Sequence, residues 1–165
     1  MVAEPKVVVP EKVFESIVLD AVCLMAKDAD WRCLVIPRFG LDLAFFLEKD
    51  ARTCSRFLEV KIYAGARPGG IGFGSPKGEG PQVELLLYPN EDLEIVSDSV
   101  RWVLADATRP LGSARYSLFD SRQAKAASMN GVRNGKQNNL RISSLEANFM
   151  AWQEFLEKLR QFVLG

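Results

Sequence analysis

The chain has 165 residues, 48% apolar and 25% charged, and its 21 basic and 21 acidic side chains cancel to a net charge of zero. That balance argues against wholesale disorder, and the length suits a single domain, residues 1–165, burying about two-thirds of its unfolded surface. The absence of histidine excludes Ser-His-Asp and Cys-His catalysis, and with three cysteines at no paired spacing it argues against zinc.

No apolar run reaches the roughly 20 residues needed to span a bilayer. The N-terminus also lacks the basic start and apolar stretch of a signal peptide. A cytoplasmic protein with reduced thiols and no membrane partner is therefore expected.

Residues 10–26 read as a helix. Pro10 suits its first position, Glu11 favours the positive end of the dipole, and Val13, Phe14, Ile17, Val18, Ala21, Val22 and Met25 recur as one apolar stripe. Glu15 flanks that stripe. Residues 28–30 mark a turn, after which 31–36 and 40–47 read as strands, with Pro37 and Gly40 as breaks between them. Polar residues 48–55 read as a loop and 56–63 as the next strand.

Residues 64–81 hold seven of the twelve glycines but match neither nucleotide-binding glycine pattern, and read as a surface loop or a substrate-facing flap. A strand or short helix at 82–88, a core strand at 100–105, a strand at 115–119 and a helix at 121–128 follow, with 129–139 as a loop. The last helix is signalled by Ser143 and Glu146 as a capping box, then Leu145, Phe149, Trp152, Leu156, Leu159 and Val163 at threes and fours. The core is expected within 10–105, with a basic segment and C-terminal helix in 113–165.

Two of these strands carry charge where a core is expected. Asp42 lies in the apolar run 38–47, and Glu59 and Lys61 lie in the run 56–63. A charge in an apolar strand costs several kcal/mol unless it is paired or binds a metal. If the two strands form an antiparallel hairpin, Asp42 shares a face with Glu59 and Lys61 only when opposed residue numbers add to an odd sum. A sum of 103 sets Asp42 opposite Lys61, and 101 sets it opposite Glu59. A one-residue slip would move Asp42 to the other face. Two carboxylates with open positions suit a hard divalent cation, which lowers the pKa of a bound water and supplies a nucleophile without histidine. Lys61 could position that water, accept its proton or stabilise phosphate charge.

Gly40-Leu41-Asp42 followed by Phe57-Leu58-Glu59-Val60-Lys61 resembles the PD-(D/E)xK nuclease superfamily, which includes restriction endonucleases and Holliday-junction resolvases. Leu41 stands where the motif has proline. The resemblance implies an α/β fold, a mixed central sheet flanked by helices, with the acid and the acid-x-lysine on adjacent strands. It implies Mg²⁺ (or Mn²⁺) held by Asp42, Glu59 and the Val60 carbonyl, with Lys61 as the catalytic lysine. Glu15 would be the helix glutamate of the metal shell, and Gln82 a polar residue beyond the lysine. A homodimer acting on two strands also fits the resemblance.

Between residues 113 and 142 the bases Arg115, Arg122, Lys125, Arg133, Lys136 and Arg141 face the single acid Asp120. This segment could hold a phosphate backbone or be a solvated face. The bland alternatives for the acids are a turn aspartate at Asp42, an Asp42–Lys61 ion pair and a solvated strand face. The expectation is thus a metal-dependent endonuclease acting on DNA. Its rivals are a nucleic-acid-binding or scaffold module that keeps the fold without catalysis, and a small-molecule enzyme using the glycine-rich segment.

Overall fold

Helix α1 (Glu11–Asp28) forms because Phe14, Val18, Val22 and Met25 fall every three or four residues and bury together. Pro10 stands just before the first turn, not in it, and its carbonyl accepts the Val13 N–H at 3.0 Å. Val13, expected in the buried stripe, turns outward and is 37% exposed. Ala29 and Asp30 make the turn out of the helix, with Asp30 at φ 61°.

The computed structural model describes residues 9–36, 42–64, 71–73, 98–127, 138–140 and 148–165, with the backbone alone for 71–73, 121, 125 and 138–140. After α1 come β1 (Arg32–Val35), β2 (Leu43–Lys49), β3 (Arg52–Tyr63), β4 (Ile71–Phe73) and β5 (Val100–Asp106). A short 3-10 turn (Leu111–Ser113), β6 (Tyr116–Phe119), α2 (Ser121–Ala127), β7 (Asn138–Leu140) and α3 (Trp152–Leu164) follow among the described residues. Five strands make one mixed sheet in the order β1-β2-β3-β5-β6. The β3–β5 pair is parallel and the other three pairs are antiparallel. The expected α/β architecture, a mixed sheet with helices against it, is present.

One face of the sheet, including Phe45, Leu47, Leu58, Val60, Val103 and Tyr116, packs against α1 and against Phe155, Leu159 and Val163 of α3. On the other face Trp102 and Phe119 are register partners whose rings stack at 6.2 Å, and Ala124 and Ala127 of α2 are buried as well. Cys23, Cys33 and Cys54 are free and half-buried. No described helix is long and apolar enough to cross a membrane.

Four expected boundaries are corrected. The 48–55 loop is instead a two-residue turn, Asp50 and Ala51, because Lys49 already pairs with Arg52. Both turn residues have positive φ, 49° and 65°, as a primed hairpin turn requires. The polarity of Arg52 and Thr53 reflects the solvent-exposed end of the β2–β3 hairpin, not a loop. The 40–47 strand begins at Leu43, with Asp42 in a bend just before it.

The last helix starts at Trp152, because the Met150 N–H and C=O are taken by Tyr116 at 2.7 and 2.9 Å. Phe149 therefore leaves the helical stripe and lies 6.2 Å from the Tyr63 ring. Finally, β4, inside the 64–81 segment read as a loop, pairs with β7, which begins within the 129–139 loop and runs one residue past it. The 82–88 element and the Ser143–Glu146 cap lie outside the described residues.

Ala51 holds a left-handed conformation that costs an L-residue roughly 1–2 kcal/mol and glycine almost nothing. Ala51→Gly is expected to raise stability by up to about 1 kcal/mol, the net left after glycine's larger unfolded-state entropy. Urea unfolding checks this: the midpoint should rise with no change in slope.

Candidate metal centre

β2 ends at Leu43, opposite Leu58, whereas β3 runs on to Tyr63. Along the side of β3 that β2 would have covered, backbone groups need other partners. Carboxylates supply them. The Val60 N–H donates to Asp42 Oδ2 at 2.7 Å, and the Ile62 N–H donates to the Glu11 carboxylate. In return the Asp42 N–H donates to Glu59 Oε2 at 3.0 Å. These reciprocal bonds continue the hairpin register past the last strand pair.

That register has the odd sum that the convergence of Asp42, Glu59 and Lys61 requires. Leu43 opposes Leu58 and Lys49 opposes Arg52, so Asp42 falls opposite Glu59. Glu59 and Lys61 neighbour Trp102 and Leu104 of β5. Lys61 Nζ lies 3.2 Å from Glu59 Oε1, and the two side chains are only 17% and 5% exposed. Glu59 thus has both oxygens engaged, one by a backbone N–H and one by an ammonium.

Among the described residues, those nearest to a ligand cage are Asp42 and two glutamates of α1. Glu11 and Glu15 stand one turn apart on the same helix face. Each offers a carboxylate oxygen, and these with one from Asp42 lie within 4.8 Å of one another. Glu15 and the exposed Asp42 also share a side-chain hydrogen bond. The Val60 carbonyl leaves β3 on the same side as its N–H, toward Asp42.

The electrostatics are those of crowded acids. Burial pushes the Glu59 carboxyl up to about 7, and Asp42 adds to the rise, while Lys61 and the Asp42 N–H pull the other way. Glu11 is raised by burial and by Asp42, against the pull of Lys61 and the Ile62 N–H. Glu15 is raised by burial, then by Asp42 and Glu11, with Lys12 opposing. Four carboxylates here face two ammonium groups, Lys61 beside Glu59 and Glu11, and Lys12 near Glu15.

Such a cluster can be relieved by taking up protons or by holding a cation. The donor set fits a hard divalent ion. All its ligands are oxygens, one edge is open to solvent through Asp42, and octahedral ligands around Mg²⁺ stand about 3–4 Å apart. The present spacing needs only a small contraction to match.

Of the expected site residues, Asp42 bonds to Val60 and Glu59, Glu59 pairs with Lys61, and Glu15 stands beside Asp42; Glu59, expected as a ligand, is not in the acidic group that Glu11, Glu15 and Asp42 form. Arg115 is exposed in the connection between β5 and β6, and Arg122 is exposed on α2. Lys125 lies on the α2 backbone. Gln82, Arg133, Lys136 and Arg141 fall outside the described residues. Glu11 is the member that sequence reasoning missed, since its place at the start of a helix already has a generic explanation. Its i, i+4 spacing to Glu15 was the available signal. Set against known proteins, the chain matches no family model, no curated protein and no solved structure, which leaves the geometry of these side chains as the ground for any functional statement.

Proposed function

We propose that this protein is a divalent-metal-dependent nuclease of the restriction-endonuclease-like kind, hydrolysing phosphodiester bonds of DNA. The observation that carries the proposal is the latch between Asp42 and Glu59-Val60-Lys61, which gathers acid, acid and lysine at the open edge of β3 in odd-sum register.

Asp42, Glu11 and Glu15 would hold Mg²⁺ or Mn²⁺, with the Val60 carbonyl beside them. When bound, the cation supplies Lewis-acid polarisation of a phosphate and a water of lowered pKa. Glu59 anchors the Lys61 ammonium, keeping a positive charge beside the acids, where it can orient the attacking water and offset charge developing on the phosphate. In this reading Glu59, whose two oxygens are already engaged, is a positioning residue and not a ligand. Free thiols suit a reducing, cytoplasmic setting.

The test is cleavage of labelled linear and supercoiled DNA with magnesium, with manganese and with EDTA. Wild type should cut only with metal. Lys61→Met should lose about 10²-fold or more in rate while remaining folded at the assay temperature, which a circular-dichroism spectrum checks. Equal cutting by the two proteins would overturn the assignment.

A second reading has a specific observation behind it. The Glu59–Lys61 ion pair and the Glu15–Asp42 hydrogen bond neutralise part of the cluster internally, as a non-catalytic DNA-binding module would require. DNA binding with no cleavage in any metal would favour it.

A further inference from the structure

The end of β3 that carries Lys61 is also where its parallel neighbour β5 ends, and in open α/β sheets ligands sit outside the carboxyl ends of such strands. Residues 107–115 leave β5 at this point. They are tied down on both sides: the Ala107 N–H donates to the Tyr63 carbonyl at 2.8 Å, and the Asp106 N–H donates to the Arg115 carbonyl at 2.8 Å. Tyr63, the register partner of Asp106, is two residues beyond Lys61. With strands about 4.8 Å apart and about 3.3 Å per residue, the Lys61 and Asp106 backbones are on the order of 8 Å apart.

Asp106 is a buried acid, 7% exposed, on the same sheet face as Leu104 and Lys61. Its Oδ1 accepts from both the Thr108 N–H and the Thr108 hydroxyl, which closes the first part of the turn. Its Oδ2 accepts from Arg109 Nε at 3.3 Å. The Arg109 side chain remains 50% exposed. A buried carboxylate therefore grips the guanidinium at Nε while half of the side chain remains open to solvent. Residues 107–115 contain Arg109 and Arg115 and no acid, beside a site that holds four acids. Bringing a polyanion to that acidic site needs positive charge close by, and this turn supplies it on a rigid mount.

We propose that residues 107–115 form a phosphate-contact surface for the DNA strand entering the acidic site, with Arg109 as the contacting residue and Asp106 as its positioning residue. The proposal rests on the nuclease reading, because it takes its ligand from that site. Arg109 neutralises one backbone phosphate flanking the one at the metal centre. Contacts of this kind fix register without reading bases.

The experiment measures binding of a short fluorescein-labelled DNA duplex by fluorescence anisotropy across a salt titration, with calcium in place of magnesium. Arg109→Ala should weaken binding several-fold and lower the slope of log affinity against log salt by about 1. Arg109→Lys, which keeps the charge, should restore the slope. Asp106→Asn should weaken binding while leaving the slope near wild type, since Arg109 keeps its charge but loses its mount. Arg32→Ala, on the far edge strand β1, is the control and should change neither quantity. Wild-type slope in Arg109→Ala, or an equal loss in Arg32→Ala, overturns the proposal while leaving the nuclease reading intact. Failure of the wild-type protein to bind DNA overturns both.

Discussion

Asp42→Asn is expected to reduce metal-dependent cleavage by about 10²–10³-fold, on the scale of losing one electrostatic stabiliser in an active site. Asn is the informative substitution, because its side-chain oxygen can still accept the Val60 N–H now bonded to Asp42 at 2.7 Å. The latch and the register survive, and only the charge goes. Asp42→Ala removes both, leaving a backbone N–H of β3 without its acceptor at a cost of roughly 1–3 kcal/mol. The two variants should thus be alike in lost activity and unlike in stability. Manganese titration by calorimetry checks the assignment directly: affinity should fall sharply in Asp42→Asn. Unchanged affinity there would remove Asp42 from the ligand set.

The second large effect concerns Glu59, whose carboxyl titrates at about 7 in the folded protein against an ordinary value near 4.5. The sign follows from which state holds the proton. Between those two pH values the folded chain is protonated at Glu59 and the unfolded chain is not. This group's contribution to stability is therefore full below about pH 4.5 and is lost as pH rises through 7. The loss for so buried a group is on the order of 3 kcal/mol. Glu59→Gln is neutral at every pH and should flatten this decline, making the metal-free variant more stable than wild type at pH 8. Glu11 and Glu15, raised in the same direction, leave a residual slope. Urea unfolding at pH 5 and pH 8 with EDTA measures the difference, and identical pH slopes in the two proteins would refute it. Magnesium should then restore stability to wild type at pH 8, because ligand binding to the folded state alone shifts the balance.

How much of this was legible beforehand varies by residue. The convergence of Asp42, Glu59 and Lys61 was readable as a condition, since strand alternation allows it only in odd-sum register. The register itself was set by Asp50 and Ala51, a turn with no glycine to announce it. Without that signal, the polar residues on either side looked like a long loop. The start of α3 was hidden for a different reason. Phe149 and Trp152 have helical spacing, but Met150 is held extended by Tyr116, a partner 34 positions away by residue number, and no local pattern carries that information. Glu11 was visible and misread, because one helix-dipole acid looks the same as one cage acid until Asp42 is brought beside it. The fold class followed from periodicity, since its long stripes and alternating strands are local properties.

An uncovered strand edge is a template on which another chain can add a strand, and proteins commonly guard such edges with charge. Asp42 and Glu11, by accepting the Val60 and Ile62 N–H groups, stand guard over the open edge of β3 whether or not any reaction takes place there. Selection against aggregation would therefore retain the same acids that the proposed hydrolysis would need. A relative that had lost its activity could still carry both, and Lys61, which caps no edge, would be the first residue to drift.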